Sequence, residues 1–221
     1  MKALFFQMMT AIILLAGCTI NQSKIVVDKT AKEVFNQQEL EGIIAMIQLV
    51  DKRVMEETNK TDINQAYHKY FEDMIQKTKH TLDVDLTLIK DTVKFKFFDS
   101  LDRQAVQAIW SIDNHKEMIR TRDTILYDLH GYMSLGISPI GSYCTYMKKI
   151  GETDEKYRHY HNSISAAGDI SPSLITYFPS KHLEYDFTLF KDRLWATVFL
   201  LRFGDPMEQK IERYLTQQKK K

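Results

Sequence analysis

Apolar residues recur at intervals of three and four along most of the chain, the spacing that buries one face of an α-helix. The first such run covers 31–57, where Thr30 and Glu33 have the form of a capping box. A second run begins after Asp62 and continues through Ile75. Because the polar connection between the runs is short, the pattern predicts two helices packed as an antiparallel hairpin.

The period changes at 81–98, where apolar residues alternate with Thr, Asp and Lys in TLDVDLTLI and again in TVKFKFF. Period two favours a small β-hairpin. One strand would carry Asp and the other Lys, a cross-strand pairing that is favourable. The alternative is a helix that aligns the apolar residues Leu82, Leu86, Ile89, Val93 and Phe97.

Helical spacing returns after Ser100 and predicts one helix through Leu101–Ile112 and another through Met118–Leu129. Further helices are predicted near 142–150, 154–167, 183–201 and 206–217. The segment from Leu183 to Leu201 is apolar on most sides, which is typical of a central, buried helix. The pattern as a whole predicts a mainly α, bundle-like domain with one small β-hairpin near 81–98.

The N-terminus has a different character. A positive start at Lys2 is followed by an apolar stretch, Ala3–Ala16, which is shorter than the roughly 20 residues a spanning helix needs and suits a signal peptide. Leu15-Ala16-Gly17-Cys18 resembles the lipobox of bacterial lipoproteins. The resemblance implies cleavage before Cys18 and a lipid attached to its sulfur.

These features divide the chain into a signal peptide (1–17), a lipidated cysteine with its tether (18–28), a helical domain (29–217) and a basic tail (218–221). Two or three acyl chains on Cys18 would hold the protein on a membrane essentially irreversibly. Thr19 stands where an Asp would retain the protein at the inner membrane under the sorting rule of enteric bacteria. The expected location is therefore the outer membrane, on its periplasmic or surface face.

The balance of charge and the number of cysteines limit the classes of partner and of cysteine chemistry that the chain could have. The chain has 30 basic and 29 acidic residues, and removal of Lys2 with the signal peptide makes them equal. A near-neutral chain lacks the basic surface that general nucleic-acid binding requires, so no nucleic-acid partner is expected. Cys144 has no internal disulfide partner once Cys18 carries lipid. Its helical surroundings predict a small buried thiol.

The sequence contains only poor matches to metal-binding and nucleophile motifs. His159 and His161 lie two residues apart in a helical pattern, so their rings diverge by about 200°, and His68 with Glu72 is an ordinary surface pair. Ser134 in GYMSLG lacks the small residue that a nucleophile elbow needs two positions earlier. The sequence predicts no metal site, no cofactor and no recognisable catalytic residue.

Tyrosine supplies the clearest candidate surface, because it is enriched in recognition sites. Eight of the 11 tyrosines fall between 127 and 185. Tyr132, Tyr143 and Tyr177 lie in or beside loops marked by Gly and Pro, and they are predicted to contact a partner. Tyr67 and Tyr70 have helical spacing and are predicted to pack in the core.

The leading hypothesis is a lipid-anchored interaction protein of the cell envelope. It would be held on the membrane by Cys18 and would bind or neutralise a protein partner, such as a toxin. The alternative is an envelope hydrolase, with His159, His161, His182 and Glu152 as the first residues to inspect, or a lipoprotein that binds sugar or another small ligand. A flat, exposed apolar patch favours the interaction protein, whereas a pocket with convergent polar groups favours the alternative.

Overall fold

The computed structural model of the protein describes residues 24–80 and 85–219, which form a mainly helical fold with one antiparallel β-hairpin. The predicted fold class is confirmed. The elements are α1 (Lys29–Val34), α2 (Gln37–Thr58), α3 (Ile63–His80), α4 (Asp91–Asp99), α5 (Arg103–Gln107), β1 (Trp110–Arg120), β2 (Ile125–Ile137), α6 (Ser142–Ile150), α7 (Glu155–Ala167), α8 (Pro172–Ser180), α9 (Phe190–Arg202) and α10 (Met207–Gln218). A short 3₁₀ turn, His182–Glu184, precedes α9.

Helix α9 lies at the centre of the fold. Its residues from Asp192 to Leu201 are all buried, including Leu194 and Val198 with no exposed surface. Helix α2 packs along it, and the Tyr160 ring of α7 stacks on Trp195 at a centroid distance of 4.4 Å. The prediction of a central buried helix is confirmed for Phe190–Arg202, because a helix that is apolar on most sides must be covered on most sides. The predicted start at Leu183 is wrong, since 182–184 form the 3₁₀ turn and Leu183 is 78% exposed.

The first predicted helix is divided into α1 and α2 at Phe35, where the backbone is extended. Asp28 caps α1 by accepting a hydrogen bond of 2.7 Å from the Ala31 amide. The capping box belongs to α2, not to Thr30: Asn36 and Glu39 each accept a 2.9 Å hydrogen bond from the other's backbone amide. Helix α2 then packs against α3, as the short polar connection predicts.

The β-hairpin is not at 81–98. Residues 91–99 form α4, residues 85–90 have no regular structure, and 81–84 lie outside the described part. The alternation does not produce strands here: Lys94, a polar position of the alternating pattern, is only 1% exposed, whereas the apolar Val93 is 43% exposed. The Lys94 ammonium donates to the carbonyls of Leu201 and Phe203 at 2.9 and 2.7 Å.

The hairpin instead occupies residues for which two helices were predicted. Strands β1 and β2 pair from Trp110 opposite Ile137 to Arg120 opposite Ile125. Residues 121–124 make the turn, where the Thr121 amide donates to the Thr124 carbonyl at 2.8 Å. The helical interpretation fails because Met118 and Ile125, which it placed on a buried face, are exposed.

The central position of α9 can be tested by Leu194→Ala. We expect this change to lower the free energy of unfolding by about 2–5 kcal/mol, because it removes a fully buried side chain from a packed site. Urea unfolding followed by circular dichroism measures it. The matched control is Leu215→Ala in α10, which is 41% exposed and should cost no more than about 0.5 kcal/mol. Equal losses in the two variants would contradict a core position for Leu194.

Candidate interaction surface

The two ends of the β-hairpin that join the rest of the chain lie in the main hydrophobic core. At its base Trp110, Leu135 and Ile137 are buried among the helices. The Ser138 amide donates to the Ile109 carbonyl at 2.8 Å and closes the open end. The base of the hairpin is therefore packed into the main core.

The distal half of the hairpin packs on the C-terminal helix. Ile119, Leu129 and Tyr132 form a small separate cluster with Ile211 of α10, and the Tyr214 ring lies 6.5 Å from that of Tyr132 in an edge-on arrangement. All four clustered residues are at most 8% exposed. One side of the distal hairpin is thus buried against α10.

The other side is uncovered. Met118 and Tyr127 are direct cross-strand partners, and Arg120 pairs with Ile125 two positions further along. Cross-strand partners and next-but-one neighbours share one side of a sheet, so these four side chains form one surface, here called the outer face. Met118, Ile125 and Tyr127 are 55%, 43% and 65% exposed.

Two irregularities in β2 make this division of faces possible. Asp128 has a left-handed backbone with φ of 53°, and the strict alternation breaks there, so Tyr127 points outward while Leu129 points to α10. The pairing register then shifts between Asp113 and His115, opposite Gly131, whose φ is 87°. Glycine adopts this conformation without the penalty that a side chain would add. Such bulges re-aim side chains along a strand.

Two arginines lie at the border of the outer face. In the described residues neither Arg120 nor Arg122 of the turn makes an ion pair, and both are exposed. Lys116 is half-buried and lies 3.7 Å from Asp113, and Asp123 lies in the same turn as Arg122. The surface is therefore an apolar centre with two guanidinium groups at its edge that have no ion-pair partner among the described residues.

The three predicted tyrosines are not brought together. Tyr143, predicted to contact a partner from beside a loop, lies at the start of α6 and is 0% exposed, so its ring is not available at the surface. Tyr132 is 8% exposed and faces α10. Tyr177 of α8 is 40% exposed beside His159, with ring centroids 5.6 Å apart, and its contact with a partner stays a prediction.

Most of the tyrosine-rich segment packs in the interior. Of its eight tyrosines only Tyr127 and Tyr177 are exposed; the others are buried, namely Tyr132, Tyr143, Tyr146, Tyr157, Tyr160 and Tyr185. Several donate to buried or half-buried acceptors, as Tyr146 does to Asp28 at 2.6 Å and Tyr157 does to Asp192. Tyr127 is one of the eight tyrosines of the segment but not one of the three predicted to contact a partner. The sequence pattern missed Met118 and Ile125 because it assigned them to a helix.

The remaining candidate residues form no metal or nucleophilic site. In the part of the chain that the structure describes, no group of three or more His, Cys, Asp or Glu side chains could hold a metal ion. The His159 ring lies against Tyr177, whereas His161 lies beside Asn162 and Ser165. Glu152 lines a broad open groove near Asp28, apart from these histidines.

The two cysteines differ in what the structure says of them. Cys18 lies outside the described residues. Cys144 is half-buried, and its thiol donates to the Ser138 carbonyl at 3.4 Å. Burial raises the pKa of the Cys144 thiol, which makes it a poor nucleophile at neutral pH.

Comparisons of the chain with protein-family models, with curated proteins and with solved structures find no significant match. Among residues 24–80 and 85–219, no helix has both the length and the apolar character needed to cross a bilayer.

A histidine pair joins α3 to the 3₁₀ turn. The Nδ1 atoms of His68 and His182 are 3.2 Å apart, so one ring donates while the other accepts. Burial lowers the pKa of both imidazoles below the ordinary 6.5, and the charge of His68 lowers that of His182 further. Asp62 and Asp186 oppose the shift at His68, and Glu72 opposes it at His182.

This pair predicts a loss of stability in mild acid. Below about pH 6.5 the unfolded chain binds protons that the folded pair resists, so the free energy of unfolding falls as pH falls. We expect the melting temperature of His182→Gln to drop less between pH 7.5 and 5.5 than that of the wild type. His159→Gln, at an exposed histidine of α7, is the control and should follow the wild-type profile. Parallel profiles for wild type and His182→Gln would contradict the role of the pair.

Proposed function

We propose that this chain is a lipid-anchored protein of the bacterial cell envelope that binds a protein partner through the outer face of its β-hairpin. The observation that carries the proposal is the exposure of Met118, Ile125 and Tyr127 side by side on a hairpin whose other side is buried. Contiguous exposed apolar side chains on a folded scaffold are typical of interaction sites.

The residue types support a protein partner. Tyr and Met are enriched at the centres of protein interfaces, as is Arg, and all three occur on this face. Arg120 and Arg122 lack ion pairs among the described residues, which favours a partner that surrounds an apolar site with carboxylates. Charge complementarity of this kind speeds association and fixes orientation.

Membrane attachment is proposed from the lipobox-like Leu15–Cys18 segment. A lipid on Cys18 would place the domain at the end of a tether that joins the fold at Asp28. There Asp28 accepts hydrogen bonds from the Ala31 amide and from the Tyr146 hydroxyl at 2.7 and 2.6 Å. The tether would therefore enter the domain at a fixed point between α1 and α6, while the outer face remained open to a partner.

The outer face can be tested by photo-crosslinking in intact cells. With p-benzoylphenylalanine at position 127, we expect one discrete protein adduct, because the side chain there would lie in the interface. Adding Met118→Ala should reduce the adduct yield strongly, since a hot-spot residue contributes about 2 kcal/mol or more. The melting temperature should stay nearly unchanged, because Met118 is exposed.

The matched control places the same crosslinker at position 183, because Leu183 is 78% exposed and lies outside the hairpin. An adduct at position 183 as strong as that at 127 would show non-selective contact. Absence of any adduct from positions 118, 125 and 127 would refute the proposed interface.

Lipid attachment is tested separately by metabolic labelling with an alkyne fatty acid. We expect the wild type to take up label and to partition into detergent, and Cys18→Ala to lose both properties, since the thiol is the acceptor. Cys144→Ala is the matched control and should keep the label in full. Equal labelling of wild type and Cys18→Ala would contradict the lipoprotein assignment.

A further inference from the structure

A small, partly open pocket lies where α4, β2 and α10 meet. Its volume is about 170 Å³, and its polar lining includes Asp91, Tyr132, Lys210 and Arg213. At about 30 Å³ per water molecule, it has room for five or so non-hydrogen atoms. The pocket is on the α10 side of the hairpin, away from the outer face.

The charged groups around this pocket do not balance. Asp91 and Asp205 are 4% and 5% exposed and face three cations. The Asp91 oxygens lie 3.0 Å from the Lys94 nitrogen and 2.8 Å from the Lys210 nitrogen, and Arg213 pairs with Asp205.

Lys94 does not line the pocket but contacts the carboxylate that does. Its nitrogen donates to the carbonyls of Leu201 and Phe203 and lies 3.0 Å from an Asp91 oxygen. Burial lowers the pKa of Lys94, and the neighbouring Asp91 carboxylate raises it. The charged groups that line the pocket itself are two cations, Lys210 and Arg213, and one carboxylate, Asp91.

Hydrogen-bond donors also remain after the internal pairs are made. Lys210 forms an ion pair of 2.8 Å with Asp91 without a hydrogen bond of ordinary geometry to either Asp91 oxygen, so its three N–H groups are not used there. Arg213 directs one nitrogen to Asp205 and the other to within 3.9 Å of Asp91. Among the described residues the Tyr132 hydroxyl has no hydrogen-bond partner, although its side chain is 92% buried and lines the pocket.

The cluster is held in place by close packing around Gly204. A Cβ atom at this position would lie 2.6 Å from an Asp91 oxygen and 2.9 Å from the Lys210 nitrogen, so no other residue fits without displacing the ion pairs. The Gly204 carbonyl is in turn fixed by the Thr87 hydroxyl at 2.6 Å. The donors are therefore positioned before any ligand enters.

We propose that this pocket binds an oxyanion of phosphate size, either free or as the head group of a small lipid. The excess positive charge, the unused N–H groups of Lys210 and Arg213 and the unpaired Tyr132 hydroxyl converge on a space of the right volume. Glu208 is exposed and does not line the pocket, although its charge, with that of Asp91, contributes to raising the pKa of the Tyr132 hydroxyl.

The test follows the melting temperature of the full chain in detergent as inorganic phosphate is added, with sodium chloride at matched ionic strength as the reference. A saturable rise with phosphate alone is expected. In Tyr132→Phe the concentration for half saturation should increase about tenfold, as loss of one hydrogen bond to a charged group predicts. The ring and its packing on α10 remain, so this variant should fold.

Two further variants separate the site from general charge effects. Arg213→Gln should lose the saturable response, whereas Arg53→Gln should retain it, since Arg53 forms an exposed pair with Glu56 on α2. Dihexanoyl phosphatidic acid distinguishes the sources: tighter binding than inorganic phosphate assigns a lipid head group, and equal or weaker binding assigns free phosphate. Equal shifts with phosphate and chloride, or an unchanged half-saturation in Tyr132→Phe, would overturn the proposal.

Discussion

The buried ion pair between Asp51 and Arg193 is the interaction on which the position of the central helix depends. The guanidinium Nε of Arg193 donates to both Asp51 oxygens at 3.0 and 2.9 Å, and the Tyr67 hydroxyl donates to the same carboxylate at 2.9 Å. Burial raises the pKa of Asp51, and the two donors oppose that rise. Removing one partner of such a pair costs about 3–5 kcal/mol, so α2, α3 and α9 are fixed in one arrangement.

A chain of contacts connects helix α9 to the hairpin surface that we propose for binding. Lys94 of α4 binds the carbonyls at the C-terminal end of α9, and through Asp91 it connects to Lys210 of α10. Helix α10 in turn packs against the inner side of the hairpin. A partner would therefore bind a hairpin that the core supports. The same ion-paired residues line or adjoin the pocket in which we propose that an oxyanion binds.

Sequence reasoning succeeded where a helix packs on the core through one continuous apolar face. Helix α3 and the buried helix α9 follow from spacing alone, because burial of a helix face requires apolar residues every three to four positions. It failed at 91–98, where the buried positions include Lys94. A charged residue becomes an interior residue only when a distant partner is present, and local periodicity contains no information on Leu201 or Phe203.

The sequence by itself determined the fold class, the central helix and the lipobox-like segment from which membrane attachment is proposed, because each depends on residue types at short spacing. Only the tertiary structure decided where the hairpin lies, which tyrosines reach solvent and where unpaired donors converge. Tyr143 and Tyr127 are the same residue type in similar local patterns, yet one is 0% and the other 65% exposed. The difference comes from which elements pack over each ring, and that is set by contacts between residues far apart in the chain.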